Sequence, residues 1–440
     1  MKSKFIILIG IIIIISEIIV ISFLPQIRWT IWRAQNWSDT NTSWVRTWSG
    51  SDSTWGRQMA IDGEDNIYVF ASGNSDDYLL KYTDKGDLMW TKKIDVDNFE
   101  GLSLHFLALN SQGDIYLGGT IDQFRLYIQE PDNNVILIKF NKSGEQQWIK
   151  TYSGQDLSDM QIDSSDNLYL LTKIVNGSIS SNFLVKIENS GAIIWNKTIW
   201  DEPINIENYG ERNSLLINGE SDIYVGGFFN EDFALFKCNS SGILQRNITL
   251  SKKDYSHYFS MAFDNSNNII FYDSFHLFKL NSTITMLWSV NTSFYSHTDS
   301  RVIVNAENEI LITTSKTIPC ISNSFLFKPM CICTCINLEK YAESGIFISS
   351  ICYTGCSFAS TSSIALDSRN NIYILGTLYG KWSCNDLPYE LLLIKNPRNT
   401  SSNCIEIYQD FLLILIVLPS IIGIIFIYIR NKRTWDRSNS

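Results

Sequence analysis

The stretch from Ile162 to Trp195 holds the two patterns on which the fold turns. IDSSDNLYL from Ile162 is an apolar residue, Asp163, a polar turn and a β-rich run; LVKIENSGAIIW from Leu184 is a strand ending in Lys186, a turn with Gly191, and a strand carrying Trp195. Asp, Asn, Ser and Gly between apolar runs are the residues that hairpin turns need for their backbone angles. Two such hairpins in succession make a four-stranded unit.

The first pattern recurs as IDGEDNIYV from Ile61, LNSQGDIYLGG from Leu109, INGESDIYVGG from Ile217, FDNSNNIIF from Phe263, VNAENEILI from Val304 and LDSRNNIYILG from Leu366. Its Asp or Asn marker stands at 62, 110, 163, 218, 264, 305 and 367, at intervals of 48, 53, 55, 46, 41 and 62 residues. These periods are too long for most helical repeats and suit four short strands each. The second pattern ends at Trp90, Trp148, Trp195 and Trp288, with Arg246 at the Trp position of LFKCNSSGILQR. A sixth copy is degenerate, with YAESGIFISSI from Tyr341 as turn and strand, and the seventh, LLLIKN from Leu391, stops before any partner strand.

That partner is found at the other end of the chain, where SWVRTWSG around Trp44 matches QQWIKTYSG around Trp148. The expected fold class is therefore all-β: a seven-bladed β-propeller closed by an N-terminal strand, whose blades leave few exposed edges. Trp44, Trp90, Trp148, Trp195 and Trp288 are read as packing residues between blades. The oxygen-rich turns DGEDN from Asp62 and DSSDN from Asp163 also invite a calcium reading, but none matches the twelve-residue calcium loop with its terminal Glu, so hairpin chemistry is preferred and no metal is expected.

Outside the repeats, two apolar segments flank the propeller. Phe5 to Leu24 follows Lys2 and Lys4 and stops at Pro25, with Glu17 as its one charge; it is long enough to span a bilayer. It is read as an uncleaved anchor, with a cleaved signal sequence as the competing reading. Phe411 to Ile429 is uncharged and is followed by Arg430, Lys432, Arg433 and Arg437, which places the tail on the cytoplasmic side and residues 28–409 outside. The division expected is an anchor or signal sequence at 1–27, a propeller ectodomain at 40–397 with a cysteine-rich insertion near 318–356, a linker at 398–409, a transmembrane α-helix at 410–430 and a basic tail at 431–440.

Of 440 residues, 35 are Lys or Arg and 45 are Asp or Glu, a net charge of −10, which removes the electrostatic footprint of a nucleic-acid binder. Asn-x-Ser/Thr triplets at Asn36, Asn41, Asn141, Asn176, Asn196, Asn239, Asn247, Asn281, Asn291 and Asn399 all fall in the external part and permit glycosylation there. Eight of the nine cysteines follow residue 319. In an oxidising exterior Cys320, Cys331, Cys333, Cys335, Cys352, Cys356, Cys384 and Cys404 are disulfide candidates of undetermined pairing, a thiolate metal site being the weaker alternative. Cys238 is expected to be free and buried.

The IYV and IYLGG runs together with the Lys, turn, Gly and Trp element resemble the SBBP-type β-propeller repeats of bacteria and archaea over about residues 43–397. That resemblance implies a propeller in an exported or surface protein with no assigned catalytic residues. The spacing of Gly86 to Trp90, Gly144 to Trp148 and Gly191 to Trp195 is also similar to the tryptophan-docking repeats of quinoprotein dehydrogenases. Their cofactor site usually involves adjacent cysteines, and this chain has none, so no cofactor is expected.

No nucleophile elbow, zinc-protease motif or phosphate loop occurs, and His105, His257, His276 and His297 lie in separate repeats. The sequence thus points to a non-catalytic, membrane-anchored extracellular propeller that binds or scaffolds protein or glycan partners. The longest departures from the repeat are the candidate partner loops: 121–134 with Tyr127 and Pro131, 201–210 with Tyr209, and 318–336. A hydrolase or lyase working through carboxylates at the propeller channel is the alternative, and a structural envelope protein the second. Converging carboxylates with an Arg or His at the channel mouth would favour catalysis.

Overall fold

The structure is a computed structural model, and it describes residues 43–96, 101–121, 135–176, 178–203, 213–229, 232–252, 259–292, 300–320, 331–353, 358–379 and 389–396. Both apolar segments lie outside these residues. Among the described residues no helix is long and apolar enough to cross a membrane.

Seven four-stranded antiparallel sheets form the described part. Blade 1 is built from β2 (Thr54–Ile61), β3 (Ile67–Gly73), β4 (Asp77–Tyr82) and β5 (Leu88–Ile94), counted outward from the axis. Blades 2 to 6 repeat it, with inner strands β6 (Leu102–Leu109), β10 (Asp156–Ile162), β14 (Ser214–Ile217), β18 (Ser260–Phe263) and β22 (Arg301–Val304). Their outer strands are β9 (Gln146–Tyr152), β13 (Ile193–Pro203), β17 (Leu244–Lys252), β21 (Met286–Asn291) and β25 (Phe347–Tyr353). Successive inner strands touch, and β2 also meets β26 (Phe358–Leu366) of blade 7, which closes the ring.

Blade 7 takes its outermost strand from the start of the chain: β1 (Trp44–Trp48) pairs with β28 (Glu390–Lys395), register Trp44 to Lys395 through Trp48 to Leu391. The seam is fastened beyond the ladder. The Asp84 carbonyl of blade 1 accepts from Trp44 Nε1 at 3.1 Å and from Lys395 Nζ at 2.9 Å. Arg46 Nε donates to the Gly86 carbonyl at 2.9 Å. Fully buried aromatic and aliphatic side chains from neighbouring sheets form shared clusters, such as Trp44, Met59, Tyr82, Tyr373 and Leu393 between blades 7 and 1.

Because strands alternate in direction, the ring has two unlike faces. The turns between strands one and two and between strands three and four emerge on one face, the turn face. Each inner turn places a residue at positive φ three positions after its marker: Asp65, Gly113, Asp166, Ser221, Asn267, Asn308 and Asn370. The Asn and Asp side chains there also tie blades together, since Ser111 N donates to Asp166 at 2.8 Å and Ser368 N to Asp65 at 2.9 Å. All remaining connections, including those between blades, leave from the opposite face, the loop face.

Four outer turns carry a left-handed glycine against the preceding blade's tryptophan, while the left-handed Gly191 of blade 3 meets Lys150 instead. A Cβ on Gly86 would lie 2.8 Å from the Trp44 ring, on Gly144 3.1 Å from Trp90, on Gly242 2.7 Å from Trp195 and on Gly345 3.0 Å from Trp288. Glycine is thus required twice over, by φ and by contact. Blade 5 departs from the rule, with Ile284 at φ 50° in the glycine position and fully buried.

Candidate functional site at the channel mouth

Four inner strands are interrupted at one equivalent position, five residues before the marker. The bulged residues are Arg57, His105, Ser158 and Ser362 in blades 1, 2, 3 and 7. A bulge inserts an extra residue and re-aims its side chain, so the inner strands present polar groups at the loop-face end of the axis instead of a dry core. There a cavity of about 420 Å³ is lined by residues of all seven blades, among them Arg57, His105, Asp159, Asn213, Ser260, Arg301 and Ser363.

The next residue of the inner strand serves the ring itself. Gln58 Oε1 accepts from Leu107 N at 2.9 Å, Asp159 Oδ2 from Leu215 N at 2.7 Å, Ser260 Oγ from Val302 N at 3.2 Å and Ser363 Oγ from Met59 N at 3.4 Å. Each ties one blade to the next through a backbone donor that the widening sheets leave without a strand partner. Asp159 also accepts from its neighbour Met160 N at 2.7 Å. Burial pushes its carboxyl up to about 6, opposed by the Leu215 and Met160 donors and by the Arg301 charge. This carboxylate is committed to structure.

Around it the mouth carries two arginines and a histidine. Arg57 Nε donates to Ser72 Oγ at 2.6 Å, and its charge faces Asp77, whose carboxyl burial raises to about 6. His105 Nε2 lies 3.0 Å from Ser103 Oγ. Two guanidiniums, an imidazole and one structurally engaged carboxylate therefore share the described lining, and Arg301 is the cation that acts on that carboxylate. No pair of free carboxylates converges among the described residues of the mouth. Such a lining can hold an anionic or hydrogen-bonding ligand.

On the turn face every repeat carries one carboxylate and one lysine as an ion pair: Asp62 with Lys81 at 3.7 Å, Asp114 with Lys139 at 2.8 Å, Asp163 with Lys186 at 3.2 Å and Asp222 with Lys237 at 2.7 Å. Asp264 with Lys279 at 2.8 Å, Glu309 with Lys340 at 2.5 Å and Asp367 with Lys395 at 3.9 Å complete the set. Where the marker is Asp, the residue four later is Asn; where the marker is Asn, at 110, 218 and 305, the residue four later is acidic. Either way the marker oxygen closes the turn, as Asp163 Oδ1 accepts from Ser165 N and Asn167 N, and Asn110 Oδ1 from Gln112 N and Asp114 N. Burial raises the Asp163 carboxyl, yet the Asn167 donors and Lys186 outweigh it and leave it below its ordinary value. The oxygens that suggested calcium are occupied by backbone N–H groups and lysine.

Trp44, Trp90, Trp195 and Trp288 sit where the glycine contacts place them. Trp90, Trp148 and Trp195 each meet a tyrosine of their own blade edge-on, and Trp44 meets Tyr373, with centroids 5.9–6.1 Å apart. Cys335 and Cys352 form a disulfide between the two outer strands of blade 6, with Cα atoms 5.9 Å apart. In β23 (Ile310–Cys320) and β24 (Cys331–Tyr341), Cys320 is the register partner of Cys331 and Ile318 that of Cys333. Cys356, Cys384 and Cys404, and the loop residues Tyr127, Pro131 and Tyr209, lie outside the described residues. Cys238 is free and buried, its thiol pushed up to about 12 by burial. Three of the Asn-x-Ser/Thr triplets have a conformational role: Asn141, Asn239 and Asn281 are turn residues whose Oδ1 accepts two backbone N–H groups each.

The bulges and the channel arginines escaped sequence reasoning, because a bulge shows only as a shift of alternation against a partner strand. The ion pairs had a readable signal in the single carboxylate that moves between the marker and the fourth residue after it.

No protein-family model matches the chain, and no curated protein does. Among solved structures, a catalytically inactive variant of virginiamycin B lyase from Staphylococcus aureus, with quinupristin, superposes with a TM-score of 0.51 at 10% identity, over 80% of this chain and 99% of the lyase. A streptogramin B lyase gives 0.50 at 11% identity, over 81% of this chain and 99% of the other. The chain is a seven-bladed propeller. At this identity the likeness speaks for the fold alone.

Proposed function

We propose that the chain is a cell-surface binding module, held by its flanking apolar segments on the turn face and presenting the loop face to extracellular partners. One observation carries this reading. Trp44 and Lys395 are paired at the turn-face end of blade 7, so both termini of the propeller leave on that face. Meanwhile the strands flanking 121–134, 201–210 and 318–336 all end on the loop face. Tethers on one face and variable loops on the other give a rigid disc whose channel mouth points away from the bilayer. The SBBP-type resemblance, which implies a surface protein, agrees with this arrangement.

The ligand chemistry follows from the mouth. Arg57, Arg301 and His105 offer donors in a chain that is acidic overall, so a partner is recognised where an acidic group of a glycan or protein enters the channel. The test is binding of sulfated or carboxylated glycans and acidic peptides to the full chain in proteoliposomes. Arg57→Gln with Arg301→Gln is expected to weaken binding tenfold or more and to flatten its salt dependence, while Lys142→Gln on the turn face leaves it unchanged. Binding indifferent to the arginine pair would overturn the assignment.

A second reading is lyase chemistry at the same mouth, favoured by the fold shared with the two lyases and by the lining residue His105, whose Nε2 lies 3.0 Å from Ser103 Oγ. Turnover of a streptogramin or acidic glycan that is abolished by His105→Ala would establish it.

A further inference from the structure

The outer strands carry a pattern that neither packing nor the channel uses. Among the described residues eleven large apolar side chains are exposed, and ten of them stand at the turn-face end of an outer strand or in the turn leading into it. They run through blades 3 to 6, with Ile193, Ile243, Leu287 and Ile346 as one representative from each, and Leu88 and Met89 add blade 1. Ile346 is 68% exposed and Ile243 59%. Farther along the same strands the exposed positions become Asn196, Lys197, Gln245, Asn247 and Ser289. The apolar character is thus confined to one rim of the disc. Exposed apolar surface of this continuity marks an interaction site.

We infer that this rim rests in the interfacial zone of the lipid bilayer. The proposal depends on the membrane-anchored reading, and three observations point to lipid. The chain outside the described residues leaves from this face at both ends and contains an apolar segment on each side long enough to span. Both tethers join at blade 7, one point on the perimeter, and a disc held at one point tilts freely. In a ring of seven the opposite point lies between blades 3 and 4, where Ile193, Ile194, Ile243 and Leu244 are exposed, so the apolar arc supplies the second support. Finally, the seven repeat carboxylates of this face are each ion-paired with lysine, and its exposed turn carboxylates, such as Glu64, Glu145 and Glu220, stay in the hydrated headgroup layer.

The test uses the full chain in phosphatidylcholine vesicles, with a benzophenone amino acid at Ile243, Ile346 or, as control, Ile179, which is 50% exposed but lies at the loop-face end of its strand. Photolysis is expected to give lipid adducts from 243 and 346 at least fivefold above 179, and detergent should abolish them. Adducts to a second copy of the chain, or none above the control while the chain resists alkaline carbonate extraction, would overturn lipid docking and leave the anchoring intact. Release of the chain by carbonate would overturn the anchoring, and the docking with it.

Discussion

Arg246 of blade 4 and Ile284 of blade 5 occupy the places that a tryptophan and a left-handed glycine hold at the junctions of blades 7 with 1, 1 with 2, 3 with 4 and 5 with 6. Arg246 Nη1 donates to the Thr283 carbonyl at 3.0 Å, and Ile284 is buried in a cluster with Tyr224 and Phe263. The two departures compensate: where the large ring is absent, the glycine gains a side chain that fills the space, at the cost of a β-branched residue at φ 50°.

That compensation is measurable by a double-mutant cycle. Ile284→Gly alone removes a buried side chain and is expected to destabilise by about 2–3 kcal/mol, partly offset by relief at positive φ. Arg246→Trp alone places a ring against Ile284. Together the two restore the arrangement of the other junctions, and a coupling of about 1 kcal/mol or more in favour of the pair is expected from denaturant melts. Strict additivity would refute the compensation.

The travelling carboxylate makes a second test. Asp163→Asn leaves the half-buried Lys186 without its counter-charge and is expected to lose roughly 1–3 kcal/mol. Adding Asn167→Asp recreates the arrangement at Asn110 and Asp114 and should recover most of the loss. Failure of the second substitution to rescue would mean that the position of the charge matters more than its presence.

A third concerns pH. Asp159 rises from an ordinary 3.8 to about 6 in the folded state, first because it is buried. Between these values the native protein keeps a proton that the unfolded chain has released, so this group weakens the fold as pH climbs through that window, by at most ~1.4 kcal/mol per pH unit. Asp159→Asn removes the titration and leaves one backbone donor without an acceptor. The stability difference, variant minus native, is expected to shift in favour of the variant by ~2 kcal/mol from pH 4 to pH 7. The marker aspartates, whose carboxyls are lowered, are common to both proteins and cancel. A difference independent of pH would place Asp159 at its ordinary value.

Much of this ring was legible before any coordinates. Trp44 and Trp148 sit in matching strands, and that single match implied closure. The seven markers located the inner turns because turn chemistry is local and repeats. The channel was not legible, since Arg57, His105 and Arg301 come together only when distant repeats curl around one axis. The unequal faces were equally hidden: the exposed Ile243 and the buried Ile284 both follow turn residues, and only the neighbouring blade distinguishes them.

A fourth test addresses the staple in blade 6. The Cys335–Cys352 bond closes a loop across a sequence separation of 17 residues, so its loss is expected to cost about 3 kcal/mol in the loop-entropy estimate. Cys352→Ser should lower the melting temperature, and reducing agent should lower that of the native protein but not of the variant. Equal sensitivity of both to reductant would assign the stabilisation to other cysteines.

The orientation of the disc is measured most directly by energy transfer from a donor on the protein to acceptors at the vesicle surface. A donor at Ser181, near the loop-face end of its strand, is expected to lie farther from the bilayer than one at Lys142 on the turn face, by roughly the length of a blade strand, ~20 Å. Equal distances, or a loop-face donor nearer the lipid, would contradict it.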